Sequence, residues 1–172
     1  MLPIMMKTTV VAVALSLSTG QANIVEPEYT TIRMEIVVNK SAADTWAKVG
    51  AYCDLGKWLA TGRTVPCTVT SGNGEIGSVR SLNNGAVLEI LTAKTDLSYG
   101  YTQPAKEGQF YNLYHGFLEA KPISATTSKL IYTLMLDVSN LADKTAKDAD
   151  AARRRKQFEA ALLNMKNIAE AP

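Results

Sequence analysis

From Asn140 to Glu170 the chain contains neither Gly nor Pro, and Phe158, Leu162, Met165 and Ala169 recur at the i, i+4, i+7, i+11 spacing of one helical face. A single long amphipathic helix has to bury that stripe against something, and what precedes it is strands. Segments 67–71, 77–82, 86–93, 98–103, 110–120 and 129–138 are separated by turn signals such as Gly72-Asn73-Gly74 and Asn83-Asn84-Gly85. Ahead of them, Ile32, Met34, Ile36 and Val38 alternate with polar residues, the period of a strand with one buried face. Ser41 is a suitable N-cap for a helix at 42–50, with Asp44 three residues on. Gly50 and Gly56 are expected to break a second short helical piece carrying Tyr52, Leu55, Trp58 and Leu59. The order strand, two short helices, six strands, long helix predicts an α+β fold. Its curved antiparallel sheet of six to seven strands wraps around the C-terminal helix, leaving a cavity wherever side chains do not fill the space.

Composition adds limits. With 47% hydrophobic residues, 20% charged residues and a net charge of +2, the chain reads as one ordinary globular domain. Nothing in that balance points to nucleic acid or a polyanion. Arg153, Arg154, Arg155 and Lys156 sit among Asp143, Asp148 and Asp150 and read as a solvated helix face rather than a phosphate or membrane patch. No apolar run is long enough to span a bilayer.

Residues 1–22 have the makings of a cleaved export signal. Lys7 supplies positive charge, Val10 to Leu17 a short apolar run, and Gly20 and Ala22 the small residues before a cleavage point. The expectation is a single domain at 23–172 in the periplasm, as for a bacterial secretory substrate. In an oxidising compartment the only two cysteines, Cys53 and Cys67, read first as a disulfide worth about 3 kcal/mol. A catalytic thiol would need His115, the only histidine, to approach one of them; no metal site is expected without a CxxC or a second His.

Several stretches resemble the Bet v 1/START-like helix-grip (SRPBCC) superfamily, in particular its bacterial polyketide cyclase/dehydrase and lipid-transport-like branch. They are Trp46-Ala-Lys-Val-Gly50, Leu55-Gly-Lys-Trp58, Gly72-Asn-Gly-Glu-Ile-Gly-Ser-Val-Arg80, Gly85-Ala-Val-Leu-Glu-Ile-Leu91 and Tyr114-His-Gly-Phe-Leu-Glu-Ala-Lys-Pro122. The resemblance implies a helix-grip fold and an internal cavity but no particular reaction, because such folds host binders, enzymes and accessory proteins. It also implies that Glu89 and Tyr114 face the cavity. Gly72-x-Gly74-x-x-Gly77 matches a dinucleotide fingerprint by letter, yet residues 78–82 read as a strand. A fingerprint needs a helix N-terminus there to hold a pyrophosphate, so no nucleotide or other cofactor is expected.

Glu89 has two readings: an acid facing an apolar pocket, or a convex-face partner of Arg80. Tyr99, Tyr101 and Tyr111 are either pocket contacts or sheet packing, while His115 falls on the opposite strand face from Tyr114. Trp58, Phe158, Leu162 and Met165 would form the apolar wall of a ligand site with Glu89, Tyr101 and Tyr114. The expected function is binding of a hydrophobic or aromatic small molecule or lipid. The alternatives are a cofactor-independent lyase, cyclase or isomerase using Glu89 and Tyr114, or an accessory protein to a periplasmic redox enzyme.

Overall fold

The computed structural model describes residues 26–60, 62–105 and 113–172. Residues 1–22, expected as an export signal, and the start of the strand expected at 110–120, with Phe110 and Tyr111, lie outside the described residues. The elements are β1 (Tyr29–Val38), α1 (Ala42–Val49), α2 (Leu55–Trp58), β2 (Cys67–Ser71), β3 (Val79–Leu82), β4 (Val87–Thr95), β5 (Ser98–Thr102), β6 (Tyr114–Ser124), β7 (Thr127–Asp137) and α3 (Lys144–Glu170). Seven antiparallel strands form one curved sheet in the order β1-β7-β6-β5-β4-β3-β2. The first and last strands are therefore neighbours, and α1 and α2 carry the chain from one sheet edge to the other.

Helix α3 lies in the concavity because its stripe has nowhere else to go. Phe158, Ala161, Leu162, Met165 and Ala169 are all buried and join Met34, Leu118, Leu134 and Leu136 of the sheet in one core. The two caps follow from the sequence. Ser41 Oγ accepts from the Asp44 amide at 3.0 Å, and the Asp143 carboxylate accepts from the Ala146 amide at 2.8 Å.

Two local expectations are corrected. Gly56 sits inside α2 rather than breaking it; a Cβ there would lie 2.5 Å from the Val65 carbonyl oxygen, so glycine permits the close approach of that loop. The last hairpin is tighter than expected, because β7 begins at Thr127 and Ser124 pairs with Thr127 across a turn that has no Gly, Pro or Asn. The Gly72–Gly77 run is the β2–β3 loop, and the next element is strand β3. Cys53 and Cys67 are disulfide-bonded with their Cα atoms 5.5 Å apart, joining the α1–α2 connection to the first residue of β2.

Candidate functional site

Strand parity selects what points into the concavity. Arg80 shares a face with Leu82 on β3, and Glu89 shares one with Leu91 on β4; Arg80 and Glu89 are direct partners in the register. Both are buried, at 0% and 3% exposure. Arg80 Nε and Nη2 lie 2.8 and 2.7 Å from Glu89 Oε2. Glu89 thus takes the inward position of one reading and the arginine partner of the other. A buried charge is tolerable only when paired, and here each member neutralises the other.

An aromatic box surrounds this pair. The guanidinium carbon stands 4.1 Å from the centroid of the Tyr52 ring, 4.9 Å from Tyr101 and 5.4 Å from Tyr99. Arg80 Nη1 donates to the Tyr52 carbonyl, and the Tyr52 hydroxyl donates to the Glu89 carbonyl at 3.0 Å. Gln103 Nε2 reaches Glu89 Oε1 at 3.4 Å. The buried Tyr99 hydroxyl lies beside the Arg80 guanidinium.

A second chain of hydroxyls runs towards α3. Tyr101 and Tyr132 share a hydrogen bond of 2.7 Å, and the Tyr101 and Tyr114 rings are 6.2 Å apart. Burial, with Glu89 nearby, pushes the Tyr114 phenol up to about 12, although Arg154 and hydrogen bonds from Tyr101 and Arg154 pull the other way. Burial raises Tyr99, Tyr101 and Tyr132 as well. At neutral pH all four are therefore neutral hydroxyls, able to orient or donate to a bound group but not to serve as resting bases.

The space opposite Gly116 is filled by Tyr101. Tyr101 pairs with Gly116 across β5 and β6, and a Cβ on Gly116 would lie 2.3 Å from Tyr101 Cζ. Gly116→Ala should therefore destabilise the protein by about 1–3 kcal/mol, because the ring is hemmed in by buried neighbours and held by Tyr132. Adding Tyr101→Leu should recover part of that loss. Urea denaturation of the single and double variants measures both effects.

Of the residues singled out in sequence, Glu89, Tyr101 and Tyr114 come together on the concave face. Trp58, Phe158, Leu162 and Met165 lie in the packed core. Trp58 donates from Nε1 to the Val49 carbonyl at 3.2 Å, and the Tyr132 ring lies 4.7 Å from Phe158 and 6.2 Å from Trp58. His115 is half-buried on the other strand face.

Sequence reasoning missed Trp46, Tyr52, Tyr132 and Arg154. Arg154, read in sequence as part of a solvated helix face, is corrected: its guanidinium sits 5.3 Å from the Tyr114 ring while its Nε bonds Asp150 at 2.6 Å. The signal that pointed to it was the i, i+4 spacing from Asp150 and to Phe158.

Two clefts border this network. One, of about 470 Å³, lies between the end of α1, the β2–β3 loop and the β4–β5 hairpin, and is walled by Trp46, Tyr52, Leu91 and Tyr99. The other, of about 250 Å³, is lined by Gln103, Tyr114, Leu136, Asp150 and Arg154 among others. Among the described residues, no group of three or more His, Cys, Asp or Glu side chains is arranged to hold a metal ion.

No protein-family model matches the chain, and no curated protein matches it. Solved structures do. A Thermobifida fusca protein determined by solution NMR is 20% identical, with a TM-score of 0.65 over 81% of this chain and 92% of that one. The Zhui aromatase/cyclase from a Streptomyces species is 13% identical, with a TM-score of 0.64 over 83% of this chain and 94% of that one. Truncated norcoclaurine synthase from Thalictrum flavum is 14% identical, with a TM-score of 0.62 over 87% of this chain and 99% of that one. Sheet order, the long helix in the concavity and these superpositions agree: the chain has the helix-grip fold, a curved antiparallel sheet closed around a long C-terminal helix.

Proposed function

We propose that this protein is a periplasmic binding module for a hydrophobic or aromatic small molecule, and that the cleft beside α1 receives it. The observation that carries this reading is the cleft itself. At about 470 Å³ it falls within the range of small-molecule sites, and its walls are Trp46, Tyr52, Leu91 and Tyr99. Aromatic walls give a flat ligand large contact area at little conformational cost. The export signal at 1–22 and the Cys53–Cys67 disulfide support the periplasmic address. No helix among the described residues is long and apolar enough to cross a membrane.

A second reading, cofactor-independent lyase or cyclase chemistry, is favoured by the smaller cleft. Gln103, Tyr114 and Arg154 line it, and the hydroxyl chain through Tyr101 ends there. Tyr114 would donate to a carbonyl oxygen as negative charge develops, with Arg154 beside it. Two of the similar structures are an aromatase/cyclase and a synthase, which is compatible with this reading.

The binding reading is tested by Ala47→Trp. Ala47 is exposed on α1 and borders the larger cleft, so an indole there fills the space without disturbing the core. The wild-type protein should take up the apolar fluorophore phenylnaphthylamine, and Ala47→Trp should weaken uptake at least about tenfold with an unaltered melting temperature. Native mass spectrometry of protein purified from its own periplasm should show a co-purified small molecule. No uptake by the wild type, or equal uptake by the variant, overturns the assignment of this cleft.

A further inference from the structure

Among the described residues lining the larger cleft, Lys94 alone carries a formal charge. Its Nζ donates to the Gly74 carbonyl at 2.9 Å and to Glu75 Oε1 at 2.7 Å, so it ties the glycine-rich loop to β4 at the rim. The Lys94 and Glu75 side chains are 40% and 66% exposed. Such a pair is screened by water and holds little net energy, so a bound anion can replace Glu75 at small cost. The Gly74 carbonyl bond can persist during the exchange, because an ammonium has three protons to give.

Next to Lys94, the β4–β5 turn supplies a second donor. Thr95 Oγ1 and Ser98 Oγ, both on the cleft wall, are 2.7 Å apart. Their mutual bond uses one of the two hydroxyl protons, and the other remains to donate. Of the other charges near the cleft, Asp54 is paired with Lys57 and the buried Arg80 behind Tyr52 and Tyr99 is paired with Glu89, while Lys48 of α1 and Asp96 of the β4–β5 turn are exposed to water. On its wall an anion meets one cation and one free hydroxyl proton, and the carboxylates nearest it, Glu75 and Asp96, are exposed and screened by solvent.

Resting on the assignment of this cleft as the binding site, we propose that it selects a planar aromatic anion, a carboxylate or sulfonate. The ring system lies against Trp46, Tyr52 and Tyr99. The anionic group takes Lys94 from Glu75 and accepts from the Thr95–Ser98 hydroxyl pair. Selectivity then resides in a rim exchange, and the buried Arg80–Glu89 pair stays intact.

The test uses two probes with one skeleton, neutral phenylnaphthylamine and anionic anilinonaphthalene sulfonate, titrated against the whole mature protein by fluorescence. The wild type should prefer the sulfonate, and the preference should shrink with added salt because Lys94 is partly exposed. Lys94→Met should lower the sulfonate-to-neutral affinity ratio about tenfold, the size of one charge-assisted hydrogen bond. Glu75→Gln frees Lys94 and should raise the ratio, a gain that misfolding cannot imitate. Ala47→Trp should weaken uptake of both probes at least about tenfold.

If both probes bind in the cleft but neither Lys94→Met nor Glu75→Gln moves the ratio, anion selection is overturned and the cleft assignment stands. If Ala47→Trp leaves the sulfonate affinity unchanged, the anion site lies elsewhere and the proposal falls. If neither probe binds the wild type, the cleft assignment falls with it.

Discussion

Arg80→Met is expected to destabilise the protein by about 3–5 kcal/mol, because it leaves the Glu89 carboxylate buried without its partner. Removing the charge from both sides should behave differently. In Arg80→Met/Glu89→Leu the polar pair is replaced by apolar groups among Tyr52, Tyr99, Tyr101 and Leu91, and most of the lost stability should return. Urea denaturation of wild type, both single variants and the double variant measures the coupling between the two side chains. An Arg80→Met loss below about 1 kcal/mol would mean that water reaches Glu89 and that the pair is not truly desolvated.

This pair also marks the limit of what the sequence makes legible. The fold comes through because its signals are periodic. Period-two alternation in β1, the Asn83-Asn84-Gly85 turn and the Phe158-Leu162-Met165 stripe each report a burial pattern that only one architecture satisfies. Parity likewise places Glu89 with Leu91 and Arg80 with Leu82. What local pattern cannot convey is that two opposite charges one strand apart face inward together, since each alone would belong in water. The larger cleft is less legible still. Trp46 comes from a helix, Tyr52 from a connection, Lys94 and Tyr99 from a hairpin, and no spacing in the chain links them. Gly116 is equally silent in sequence: nothing local tells that the cross-strand Tyr101 ring lies where its side chain would be.

Breaking the disulfide should cost about 2–4 kcal/mol, and the cost should not be confined to stability. Cys53 follows Tyr52 directly, and its bridge to Cys67 fixes the α1–α2 connection against the first residue of β2. Tyr52 is the hinge of the whole arrangement. Its carbonyl accepts from Arg80, its hydroxyl donates to the Glu89 carbonyl, its ring covers the guanidinium, and the same side chain walls the larger cleft. Opening the bridge lets this connection sample other conformations in the folded protein as well as lengthening the unfolded chain's reach. The double variant Cys53→Ser/Cys67→Ser avoids a stray thiol and should show both effects. Its urea midpoint falls, and its affinity for phenylnaphthylamine weakens by about fivefold, or about 1 kcal/mol. Thiol titration of the denatured, unreduced wild-type protein should find no free thiol, and two would refute the bridge. A double variant that loses stability yet binds the probe as the wild type does would show that Arg80 and Glu89 alone hold Tyr52 in place.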